Sequence, residues 1–257
     1  LGNKILNVVK SDESFVVKTS NKEILAKKVV VATGGKSYQT VGASEIGLEI
    51  AKSFGIKVKE FTPALVGLTL QPEQFWMKEL SGLSCYVHIE VEDKILKEEM
   101  LFAHKGIRGP AVLSASLYWK KGNISIDFLP GENILGLISH SKKLLSSTIP
   151  LAKRLSKEIL KALDLEDKDC KKLTKKELEK LKRIHNYEFA PAGNFGFTKA
   201  EVSRGGVMAS ELNRYTLESL GVEGLYFIGE VVDITGELGG YNFQWAFSSA
   251  KVCANNM

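Results

Sequence analysis

The chain has 257 residues, 44% of them hydrophobic and 25% charged, with a formal net charge of +5. That size and mix suit a globular protein of one or two domains and exclude a disordered or collagen-like chain. No apolar run approaches a membrane span, so no membrane partner is expected. Three cysteines, Cys85, Cys170 and Cys253, are too few and too scattered for a disulfide or zinc framework, which fits a reducing cytoplasm.

In chain order, residues 5–18 alternate apolar and polar side chains like a small meander. The β-branched run Val29-Val30-Val31 ends in Ala32-Thr33-Gly34-Gly35, followed by Lys36-Ser37-Tyr38. A helix is predicted next, with Ser44 as N-cap, Ile46, Ile50 and Phe54 on one face, and Gly55 as the stop. Pro63 marks a boundary. From there to about residue 130, short alternating runs such as 86–91 and 123–128, separated by glycines, predict a β-rich, barrel-like unit. Residues 131–187 read as helical. Leu151, Leu155, Ile159 and Leu163 form one stripe, and a capping box of Thr174 and Glu177 precedes inward-facing Leu178, Leu181 and Ile184. Residues 197–208 are expected to rejoin the β unit. Residues 225–253 then return to the first domain as strand, loop and a helix starting near Asn242.

The predicted fold is therefore α/β with an α+β insert. A discontinuous Rossmann-like domain, residues 1–60 and 211–257, carries a β-rich insert, 61–130 and 188–210, and a helical insert, 131–187. Charge is uneven along it. Between Lys142 and Arg183, fourteen Lys and Arg face seven Asp and Glu, so that segment carries +7 and the remainder is slightly acidic. No aromatic residue interleaves with those lysines, so a solvated helical surface is the expectation and nucleic acid is not an expected partner. A basic lobe touching RNA is the alternative.

The densest motif lies near the end: Gly224-Leu225-Tyr226-Phe227-Ile228-Gly229-Glu230, then Asp233, then Gly239-Gly240-Tyr241-Asn242. It reads as a buried strand, an acidic residue at its carboxyl end, a glycine-rich loop and a helix start. In open α/β sheets ligands lie outside the carboxyl ends of the strands, and helix N-termini favour electron-rich groups. Together with residues 32–38, Leu101-Phe102-Ala103-His104-Lys105-Gly106-Ile107-Arg108-Gly109-Pro110 and Gly205-Gly206-Val207, the chain resembles bacterial NAD(P)/FAD-dependent oxidoreductases of the aminoacetone-oxidase type. These are flavoproteins of the two-dinucleotide-binding-domain class.

That resemblance implies FAD as cofactor and NAD(P)H as electron donor. It implies that Gly229 and Glu230 hold the ribityl chain, with Asp233 nearby, and that Gly239, Gly240, Tyr241 and Asn242 present N–H groups to the flavin ring. Thr33, Gly34 and Gly35 then lie by the adenosine-diphosphate half and Tyr38 near the ring. His104 is the acid–base candidate, because imidazole titrates near neutrality, and Arg108 is a candidate anion contact. Arg204 is a second, weaker anion candidate. The chain departs from the family pattern at Gln39, Ala103 and Arg108, so its substrate chemistry can differ. His88, His140 and His185 show no ligand spacing, and no metal site is expected.

No G-x-G-x-x-G occurs in the chain, and it begins with Leu1. The expectation is that a domain-sized unit of roughly a hundred residues is missing ahead of it. A naturally short homologue is the alternative, and in either case the pyrophosphate site is expected to be incomplete and bound FAD not to be retained. The leading function is an FAD-dependent oxidoreductase passing hydride between flavin and a small organic substrate. The alternatives are an RNA-contacting flavoprotein-fold module and an inactive fragment.

Overall fold

The computed structural model describes residues 2–257. The chain opens on an antiparallel meander of β1 (Ile5–Ser11), β2 (Ser14–Thr19) and β3 (Glu23–Ala26), with Val8 and Phe15 turned into the core. Next come β4 (Val29–Val31), α1 (Ile46–Ser53) and β5 (Val58–Ala64). Helix α1 buries Leu48, Ile50 and Ala51. Its N-cap is Glu45, without a side-chain cap bond, in place of the expected Ser44. The helix stops as foreseen at Gly55, whose φ of 72° places it in the left-handed region and whose N–H reaches Lys52 O at 3.0 Å.

Leu65–Phe195 forms a compact unit of its own. Its elements are β6 (Leu68–Thr69), β7 (Ser84–Val91), β8 (Lys94–Ala103), β9 (Gly106–Arg108) and α2 (Pro110–Ser116). They continue with β10 (Ile124–Asp127), α3 (Ile134–Ser139), α4 (Leu145–Thr148) and α5 (Lys153–Ala162). The last are α6 (Lys175–Lys182), β11 (Tyr187–Phe189) and β12 (Gly193–Asn194). In place of a closed barrel, the strands make one seven-stranded antiparallel sheet ordered β11-β10-β7-β8-β9-β6-β12. The alternation read in the sequence holds: Val87, Ile89 and Val91 are buried, and Glu90 between them is exposed.

The helical segment is not a separate domain. Leu155 and Ile159 of α5, Leu181 of α6 and Ile184 share one core with Val87, Ile89, Phe102 and Ile126 of the sheet. Short amphipathic helices have nothing else on which to bury their apolar stripes. The Thr174–Glu177 capping box is present, with both reciprocal bonds made.

The chain then returns to the first unit, which comprises residues up to Ala64 together with Gly196–Met257. The returning elements are β13 (Val202–Val207), β14 (Leu225–Phe227) and α7 (Tyr241–Asn255). Residues 197–208 were expected in the β-rich insert, but β13 pairs antiparallel with β5, Val202 opposite Ala64 and Val207 opposite Val58. The register shifts between Arg204 and Gly206. A Cβ at Gly205 would overlap Glu60 O, and one at Gly206 would come 2.5 Å from Val231 O, so only glycines allow this crossing. Strand β14 lies parallel to β4, in the register Leu225–Val29, Tyr226–Val30 and Phe227–Val31. Among the described residues no helix is long and apolar enough to cross a membrane. None of their His, Cys, Asp and Glu side chains form a group of three or more that could hold a metal.

Candidate functional site

The parallel pairing of β4 and β14 ends both strands on the same edge of the first unit. Ile228 N donates to Val31 O at 3.1 Å, so residues 32–35 leave one strand beside residues 228–230 leaving the other. This is where an α/β sheet presents its ligands.

Helix α7 clamps Gly229. Ser249 Oγ accepts from Gly229 N at 2.9 Å, and Trp245 Nε1 donates to Gly229 O at 2.9 Å. Gly229 itself sits at φ 70°, a conformation that suits glycine. The next residue, Glu230, turns toward the other strand end. Its Oε1 accepts from Ser203 N at 2.7 Å. Ser203 Oγ in turn accepts from Lys36 N at 2.8 Å and Ser37 N at 3.0 Å, and it lies 3.1 Å from Ser37 Oγ. Glu230, Ser203 and residues 35–37 thus form one network, with Gly35 at its centre. A Cβ on Gly35 would overlap Glu230 Oε1 and come 2.5 Å from Ser203 Oγ. Ser203 escaped the sequence reading because its signal lies only in its neighbours, Arg204-Gly205-Gly206, whose bulge brings it here.

The glycine loop is held by a side chain. Asn242 Oδ1 accepts from Gly236 N at 2.8 Å, and its Nδ2 donates to Gly236 O at 3.0 Å. Gly239 and Gly240, at φ 121° and 93°, let the chain turn into α7, whose first-turn N–H groups precede any intrahelical acceptor. Tyr241, Phe243 and Phe247 stand exposed along that helix. Asp233 is engaged elsewhere: its carboxylate meets Lys59 Nζ at 2.5 Å, and its N–H bonds Val207 O at 2.8 Å. Tyr38 is half exposed in a left-handed conformation, at φ 60°, ahead of a short 3-10 turn.

Among the described residues, two buried hydroxyls, Thr33 Oγ1 and Thr235 Oγ1, lack a hydrogen-bond partner. Thr33 also lines a cavity of about 560 Å³ with Ile5, Gln39, Ser44, Glu45 and Ile46. Orphaned hydroxyls, a glycine-lined strand end and a helix N-terminus together fit a polyhydroxylated, electron-rich cofactor such as FAD. His104 and Arg108 lie in the other unit, His104 in the β8–β9 turn and Arg108 at the end of β9, both exposed. Arg204 Nε donates to Thr62 Oγ1 at 3.3 Å.

The parallel strand pair, the strand-end loop and the start of α7 define a Rossmann-type α/β unit. The chain belongs to the HI0933-like protein Rossmann domain family, which it matches over residues 1–256. It is 37% identical to a ribosomal RNA dihydrouridine synthase of Escherichia coli, an alignment covering all of this chain and 67% of the relative. It is 39% identical to a ribosomal RNA dihydrouridine synthase of Haemophilus influenzae, over 96% of this chain and 64% of the relative. It is 28% identical to a 3-dehydro-bile acid delta(4,6)-reductase of Clostridium scindens, over 93% and 64%. The chain therefore spans about two thirds of the length of these relatives.

Proposed function

We propose that this chain serves an FAD-dependent reductase that saturates a carbon–carbon double bond conjugated to a carbonyl, with uridine in ribosomal RNA as the substrate. The observation that carries the flavin part is the parallel β4–β14 pair, which delivers residues 33–35 and 229–230 to one edge beside α7. The substrate part is supported by the chemistry common to the relatives' names. Making dihydrouridine removes the ring double bond next to a carbonyl, and a delta(4,6)-reductase of a 3-dehydro steroid acts on bonds conjugated to a ketone.

FAD held at that edge and reduced by NAD(P)H would supply hydride chemistry suited to a conjugated carbon–carbon double bond. In this reading the Glu230 carboxylate, with Oε1 fixed by Ser203 N–H, accepts hydroxyls of the ribityl chain. Thr33 and Thr235 would offer their unpartnered hydroxyls, and Gly34, with open space beside its α-carbon, would allow close backbone approach. The first-turn N–H groups of Tyr241 and Asn242 would stabilise negative charge on the bound flavin, and Tyr38 would pack against it. Asp233 supports the loop through Lys59.

The test is a flavin titration of the protein at the relatives' full length, comparing wild type with Glu230→Gln. Losing a charge-assisted hydrogen bond of about 1.5–3 kcal/mol predicts affinity lower by roughly tenfold to a hundredfold. Equal affinities remove Glu230 from the site. A wild-type protein that binds no flavin ends the proposal.

A further inference from the structure

We propose that a lysine cluster on the helical side of the Leu65–Phe195 unit holds the phosphate backbone of a structured RNA. The inference rests on the ribosomal RNA reading above. Two distant segments meet there. Leu144 and Asp169 form an antiparallel bridge, Leu145 N donates to Lys168 O at 3.0 Å, and Cys170 N donates to Lys143 O at 3.1 Å. The pairing sets Lys142 and Lys143 beside Lys171 and Lys172, and the Thr174 cap then starts α6 with Lys175 and Lys176. All six are exposed.

Four lysines of the lobe have counter-ions, and the six of this cluster do not. Lys161, Lys168, Lys180 and Lys182 pair with Glu158, Glu177, Asp164 and Glu179. Among the described residues, none of the six cluster lysines is within ion-pair distance of a carboxylate. The nearby acids have other structural duties. Asp169 accepts from Lys171 N at 2.9 Å, Asp167 holds Ser146 through its N–H and Oγ, and Glu177 closes the capping box. Asp164, paired with Lys180, feels Lys176 only at longer range. Lysines without ion-pair partners on neighbouring segments repel one another, and a polyanion relieves that repulsion.

The absence of aromatic residues in this segment decides which feature of the nucleic acid is read. Without stacking platforms the cluster contacts phosphates and positions a folded RNA, leaving choice of the base to the flavin-bearing unit.

The experiment measures binding of protein-free bacterial ribosomal RNA to the full chain across a salt series. The wild type is compared with K142Q/K143Q/K171Q/K172Q and with K22Q/K27Q/K28Q/K199Q, which removes equal charge from the first unit. Each lost phosphate contact lowers the log–log salt slope by about 0.7–0.9, so the cluster variant's slope falls by roughly 3. Its affinity drops at least about tenfold at physiological salt, while the control variant stays within about threefold. Equal losses in both variants overturn the cluster and leave the ribosomal RNA reading intact. No retention of RNA by wild type at low salt overturns both. Equally tight binding to phosphatidylserine vesicles, lost in the same cluster variant, assigns the surface to a membrane and overturns RNA.

Discussion

Ser203→Ala takes away the one acceptor shared by Lys36 N–H, at 2.8 Å, and Ser37 N–H, at 3.0 Å. Ser203 is 1% exposed, and Ser37 is buried, so water does not easily replace the lost oxygen there. A buried donor left unpaired costs about 1–3 kcal/mol. Lys36 is only half buried and recovers part of its bond from solvent. The two amides together therefore lose roughly 2–4 kcal/mol. Ser37→Ala removes only the 3.1 Å hydroxyl–hydroxyl contact and costs about 1 kcal/mol or less. Amide hydrogen exchange over residues 35–38, read by mass spectrometry, separates the two. At tenfold per 1.4 kcal/mol, S203A accelerates exchange roughly thirtyfold to several hundredfold, and S37A less than about tenfold. Equal acceleration in the two variants refutes the idea that Ser203 organises this edge.

Three further outcomes follow from the packing and charge. Gly47→Ala gains about 1 kcal/mol in helix propensity, but its Cβ would overlap Thr33 Oγ1 and come 2.6 Å from Val231 Cγ2. Overpacking of about 1–3 kcal/mol outweighs that gain, so urea unfolding shows net destabilisation; a more stable variant contradicts the packing described. The Glu177 carboxyl is held down to about 2, by Lys168 first and then by the Thr174 N–H and hydroxyl. Because this lies below its ordinary 4.5, the stability Glu177 adds is complete above about pH 4.5 and is lost as pH falls through about 2. The stability difference between wild type and Glu177→Gln, measured by urea unfolding at each pH, is therefore constant above that window and vanishes below it. Burial, and then Glu99, push the Cys85 thiol up to about 12 from 9.0. At pH 8 its alkylation runs about a thousandfold slower than that of a free cysteine, as peptide mass mapping reads directly.

Much of the first unit was legible because its signals are local. The β-branched run 29–31, the strand 225–227 and the glycine-rich start of α7 each carry their own pattern, and parallel strand ends place ligands predictably. The capping box at Thr174 is likewise a four-residue signal. Long-range pairing was not legible. Residues 202–207 alternate equally well on either sheet, and only the Gly205-Gly206 bulge against Glu60 and Val231 decides for β5. Ser203 and the Asn242 clasp on Gly236 were hidden for the same reason, since their partners are set by the fold. The lysine-rich segment showed its charge in sequence. That Lys142 and Lys143 lie beside Lys171 and Lys172 depended on the Leu144–Asp169 bridge.

The most direct measurement is anaerobic single-turnover spectroscopy of the full-length protein, loaded with FAD and reduced by NAD(P)H, on addition of protein-free ribosomal RNA. Oxidised-flavin absorbance is expected to return, with one dihydrouridine formed per flavin. A flavin that stays reduced in the presence of the RNA contradicts the proposed function.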